Sequence, residues 1–159
     1  KKFKKLKAKA VIANGDPAIR NKIFTKDKNF FSFLTLVHYS SCVSKLSSVG
    51  EGSLICKNVY IGANTKIKRN VLINVASVIG HDVTIMDSSV LAPKSNLNGN
   101  CKIGKASLVG SSCVVMSNAK LGNNCKLAPL SVLYTSTNNN LILKGNPAVK
   151  IIKNYERKL

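Results

Sequence analysis

Every sixth residue from Val37 to Leu133 is Val, Ile or Leu, an unbroken file of seventeen positions. A second file runs four residues behind it, from Ser41 to Ser131, and holds only Ser, Thr, Ala, Cys and Val. Glycine often stands directly after the aliphatic, as at Gly50, Gly62, Gly80, Gly104, Gly110 and Gly122, where it is read as supplying turn freedom. A period of six predicts a parallel β-helix. Each hexad gives one short strand and one corner, three hexads close a triangular coil, and coils stack at about 4.8 Å. The aliphatic file fills the prism, and the small file packs at its corners.

The flanks break the period. "KAVIANGD" predicts a strand, and "DPAIRNKIF" a helix with Asp16 at its N-cap and Pro17 in its first turn. "NFFSFLTLVH" leads in extended form into the first coil. Beyond Leu133, "YTSTNNN" reads as a polar loop, and "LILKGNPAVKII" as a strand, a turn and a closing segment. The expected organisation is a partial α/β segment at 1–36, a β-helix at 37–133 and a closing tail at 134–159.

Composition narrows the chemistry. Aromatics are only 6% of the chain and Trp is absent, which suits a narrow prism. The formal charge of +19 points to an anionic partner. A phosphorylated small molecule fits better than nucleic acid, because no interleaved basic and aromatic pattern, helix-turn-helix or zinc-finger spacing is present. "KKFKKLKAKA" is not followed by the apolar run of a signal peptide, and no stretch is long and apolar enough for membrane insertion. The first residue is Lys, which reads as a trimmed or mid-protein start. The five cysteines form no CxxC pair, so no metal site is expected. Cys101, Cys113 and Cys125 fall in the small file and read as compact buried side chains. Their odd number, without a secretory signal, points to the cytoplasm.

One histidine stands out. In "INVASVIGHDVTI", His81 precedes Asp82, one of three acids in the repeat beside Glu51 and Asp87. Thioester acyl transfer needs a base for the acceptor's proton, best oriented by a carboxylate. One coil is three hexads, so Gly99 lies above His81 and Ala63 below. A glycine over the imidazole leaves a slot lined by backbone amides, where a backbone N–H can face a thioester carbonyl.

The order "IANGDPAIRNKI", "LTLVHYSSCVS", "INVASVIGHDVTI", "GNCKIGKASLVGSSCVV" and "KGNPAVKI" resembles the hexapeptide-repeat acyltransferases of the NeuD and PglD type, which modify nucleotide-activated amino sugars and sialic acids. The resemblance implies a left-handed β-helix and acetyl-CoA as co-substrate. It also implies an acceptor that is a nucleotide sugar or sialic acid, taking acetyl on nitrogen or oxygen, and a homotrimer. It gives His81 and Asp82 the catalytic role and Asn74 an acceptor contact. It places Gly99, Gly110, Ser111 and Met116, with "GNPAVK", along the coenzyme A groove. Two departures stand. The N-terminal segment matches only the last strand and helix of the family's nucleotide-binding domain, with no glycine-rich loop, and Val90 occupies the place of a second histidine. A non-catalytic β-helix fragment is therefore the alternative. His38, on the first coil, reads as structural. A carbonic anhydrase site on the same fold needs three histidines, and this chain has two.

Overall fold

In the computed structural model, residues 8–153 are described. The aliphatic file is the inner edge of a prism. Strands β3 (Leu36–Val37) to β19 (Val132–Leu133) are two residues long, recur every six residues, and each ends on one of the predicted aliphatics. From Ile55 to Leu133 these residues are at most 3% exposed. Burying each contributes about 1.5–3 kcal/mol, so the file is the main source of stability.

Each strand pairs in parallel with the strand 18 residues away: Val78 lies opposite Tyr60 below and Asn96 above. Three sheets result. The outward residues of the first face run Leu36, Leu54, Leu72, Val90, Leu108, Lys126. The second runs Cys42, Tyr60, Val78, Asn96, Val114, Val132. The third runs Ser48, Lys66, Thr84, Lys102, Lys120. The winding is that of the left-handed parallel β-helix expected from the sequence.

The corners work differently from the sequence reading. The glycines after the aliphatics do not supply positive φ. That conformation falls two residues later, at every sixth residue from Asn58 to Asn124, with φ between 51° and 65°. Asn holds six of those twelve corners, because its short amide tolerates the left-handed region better than most side chains. The glycines answer a different need. A Cβ on Gly62 would lie 2.8 Å from the Gly80 carbonyl carbon, and one on Gly104 even closer to Gly122. Stacked backbones leave no room there.

The small file bonds coils together. Thr65 Oγ1 donates to the Gly80 carbonyl at 2.8 Å and accepts the Val83 N–H at 3.2 Å. Ser107 Oγ donates to Gly122 at 2.7 Å and accepts from Cys125 at 3.0 Å. Cys113 and Cys125 direct their thiols at the Ala128 and Asn138 carbonyls. Burial pushes the Cys101 thiol up to about 12, which suits packing and not nucleophilic chemistry.

The N-terminal strand is shorter than predicted. β1 (Lys9–Ala10) pairs in parallel with β2 (Ser32–Phe33), and α1 (Pro17–Asp27) connects them. Asp16 caps α1 by accepting from the Ala18 and Ile19 amides. Arg20 of α1 is fully buried. Its guanidinium donates to the carbonyls of Ile12, Asn14 and Asn70 and to Asn70 Oδ1. Burial lowers its pKa to about 10, so it stays charged at neutral pH. At the other end, β20 (Leu141–Lys144) extends the first face beside β18 (Lys126–Leu127), and β21 (Val149–Lys153) folds back antiparallel upon it.

Candidate active site

His81 and Asp82 form the corner between β10 (Val78–Ile79) and β11 (Thr84–Ile85), where the second face turns into the third. The backbone fixes this corner from both sides. The Asp82 N–H donates to the Ala63 carbonyl one coil below at 2.8 Å, and the His81 carbonyl accepts from the Asn100 N–H above at 3.0 Å. Asp82 occupies the left-handed position with φ 57°, which turns its carboxylate back toward the preceding ring. The result is a 2.7 Å contact from His81 Nδ1 to Asp82 Oδ2. The imidazole is open to solvent, with 64% of its side-chain surface exposed. Hydrogen bonds from His81 and from the Asn64 amide hold the Asp82 carboxyl below its ordinary range.

Gly99 lies directly over the ring. A Cβ there would be 2.6 Å from His81 Nε2 and 2.7 Å from Cε1. With Nδ1 engaged by Asp82, Nε2 is the nitrogen left to take a proton, and it faces the gap that this glycine keeps open. Met116 continues the same corner one coil higher, with its sulfur 3.7 Å from Asn98 Nδ2. His81, Asp82, Gly99 and Met116 therefore share one edge of the prism.

Asn74, Gly110 and Ser111 stand on the neighbouring edge, between the first and second faces. The Asn74 amide donates to the Leu91 carbonyl at 2.9 Å. A Cβ on Gly110 would collide with the backbone at Leu127 and Pro129. The turn of "GNPA" caps this edge, where Gly145 N–H donates to Ser131 Oγ at 3.0 Å. His38 belongs to it too, with its ring stacked on Tyr39 and Nδ1 2.9 Å from Ser40 Oγ. Within one chain the second face separates the two groups. Val90 is 2% exposed and lies on the first face, away from the His81 corner.

Sequence reasoning passed over two residues. Asn64 is one coil below Asp82, and Lys66 is on the strand that follows it. The 18-residue step that placed Gly99 over His81 also places Asn64 under Asp82. Among the described residues, no three His, Cys, Asp or Glu side chains gather to hold a metal. No helix there is long and apolar enough to cross a membrane.

Comparison with known proteins agrees with the repeat. The bacterial transferase hexapeptide (six repeats) family matches residues 100–135. No curated protein sequence matches. The structure of PerB from Caulobacter crescentus, in complex with CoA and GDP-perosamine, is similar with a TM-score of 0.88 and 26% identity, over 91% of this chain and 70% of that one. The acetyltransferase domain of PglB from Neisseria gonorrhoeae, in complex with acetyl coenzyme A, shares the fold with a TM-score of 0.85 at 24% identity, over 89% and 69% of the two chains. WeeI from Acinetobacter baumannii does so with a TM-score of 0.85 at 24% identity, over 90% and 70%. The chain thus carries the bacterial transferase hexapeptide pattern over part of its length and winds it into a left-handed β-helix, and pattern and neighbours together support an acyltransferase.

Proposed function

We propose that the protein transfers an acetyl group from acetyl-CoA to an amino group, or a hydroxyl, of a nucleotide-activated sugar or a sialic acid, with His81 as general base. The observation that carries this reading is the stack of Asp82, His81 and Gly99 at one exposed corner. The binding of CoA and GDP-perosamine by the similar PerB supports the choice of donor and acceptor.

For an amine acceptor, the nitrogen attacks the thioester carbonyl and gives its proton to His81 Nε2. The C–N bond forms, and the C–S bond then breaks. The CoA thiolate leaves and takes the proton from the imidazolium. Asp82 fixes the ring through Nδ1–H and balances its positive charge during the step. A backbone amide over the ring, in the slot that Gly99 keeps open, stabilises the oxyanion of the tetrahedral intermediate. Asn74, Gly110, Ser111 and the "GNPA" turn complete the site from a second copy of the chain in a homotrimer.

The test is CoA release from acetyl-CoA with GDP-perosamine as acceptor. His81→Ala is expected to lower kcat by about 10²-fold or more while the melting temperature holds. An unchanged kcat removes His81 from the chemistry.

A further inference from the structure

Below the His81 corner, on the third face, a recess of about 350 Å³ is lined by residues that include Leu46, Ser48, Asn64, Lys66 and Thr84, and Asp82 is its wall toward the catalytic pair. It lies on the opposite side of His81 from Gly99. The lining residues come from the His81 coil and from the two coils beneath it, whereas Gly99 and Met116 lie above. An acceptor ring held in the recess would reach past the edge of the imidazole with its nucleophile, to meet Nε2 and the thioester carbonyl in the slot that Gly99 keeps open.

The pocket's chemistry matches a polyol with a charge. Ser48, Thr84 and the Asn64 amide are hydrogen-bonding groups, and Leu46, 71% exposed, offers an apolar edge for the C–H face of a ring. The volume is at the small end for ligand sites, enough for one sugar ring and not for a nucleotide. A nucleotide would have to continue outside it. Lys66 is the cation of this wall. Ser48 and Thr84 stand directly below and above it in the sheet. Among the described residues, the two ion pairs are Arg69–Asp87 and His81–Asp82, and neither engages Lys66. The Lys66 ammonium is therefore available to an incoming anion.

We infer that this recess is the acceptor pocket and that Lys66 is its specificity determinant, binding the anionic substituent of a sugar whose amine or hydroxyl reaches His81. The inference rests on the reading in Proposed function. A phosphate or a carboxylate supplies the same chemistry, and the acceptor used in the assay separates the two.

Lys66→Glu and Lys66→Met are compared with wild type, using GDP-perosamine, the methyl glycoside of the same amino sugar, and a free sialic acid. The Glu variant is expected to raise KM for the acceptor that supplies the anion by about tenfold or more. KM for the glycoside, which lacks the anion, and for acetyl-CoA should not rise. An effect confined to GDP-perosamine assigns the diphosphate, and one confined to sialic acid assigns the carboxylate. Equal KM for all acceptors, or a rise for acetyl-CoA instead, overturns the inference. Calorimetric binding of GDP, UDP and sialic acid to wild type and Lys66→Glu gives a readout without turnover. Binding that depends on Lys66 without acetyl transfer keeps the pocket and rejects the reaction. Binding that is equal or absent in both proteins rejects the pocket.

Discussion

Gly99 shows how much one hydrogen atom in place of a methyl decides. Its backbone does not use the left-handed region, where Gly52 and Gly145 do, so alanine fits its conformation. The only obstacle is the imidazole below, 2.6 Å from the added Cβ. That ring is exposed and can swing away at little cost to the fold. Gly99→Ala is thus expected to keep the wild-type melting temperature within about 2 °C, yet to lower kcat/KM by about 10²-fold, since a displacement of this size misplaces a base. Thermal melts and steady-state kinetics on the same preparation check both halves, and equal losses in both would assign Gly99 to the fold alone. At this scale the sequence was partly legible. Counting 18 residues from His81 reached Gly99 because the period is strict. The same count from Asp82 reaches Asn64, but Asn fills so many corners that its type alone carries no signal. Lys66 was hidden for a similar reason, as one lysine in a chain of net charge +19.

Among the elements, the coils were the most legible and the N-terminal unit the least. A strand two residues long has almost no propensity of its own. What makes it recur is the inward aliphatic, and that repeats in the sequence. The role of the glycines was misread because positive φ and close backbone approach ask for the same residue; the Asn column was the sign that the first need was met elsewhere. Nothing periodic marks Arg20, which reads as an ordinary polar residue of α1. In the structure its buried guanidinium ties α1 to the Asn70 corner, and the Asn70 amide answers by donating to the Arg20 carbonyl at 3.0 Å and to Ser88 Oγ at 2.9 Å. Arg20→Met keeps much of the volume but leaves the Ile12, Asn14 and Asn70 carbonyls without these donors. A cost of about 3 kcal/mol is expected. Because the aliphatic file is untouched, that cost should appear as local opening. Hydrogen exchange should accelerate across α1, β1 and β2 and stay slow from Ile55 to Leu133. Uniform acceleration through the β-helix would show that the two parts unfold as one unit.

Taken as a whole, the prism carries the two groups of expected site residues on the two edges of its second face. The proposed threefold assembly of parallel prisms would resolve the separation. If each chain turns its second face toward the axis, the His81 edge of one meets the Asn74 and Gly110 edge of the next, and closure repeats that meeting three times. The composition of the second face agrees. Tyr60 is 49% and Val78 45% exposed in the single chain, and above them, past Asn96, the face returns to Val114 and Val132. The third face instead shows Lys66, Lys102 and Lys120, three like charges that would repel their copies around an axis. Val78→Glu sets three carboxylates around that axis, next to Tyr60, while leaving the inward file of the same chain intact. The variant is expected to run as a monomer by light scattering, with wild-type circular dichroism, and to lose acetyl transfer by about 10²-fold. Lys120→Glu, on the third face, should remain a trimer. A Val78→Glu protein that stays trimeric would move the axis to another face. A monomer with full activity would place the whole site on one edge, and the Asn74 and Gly110 edge would then serve only the fold.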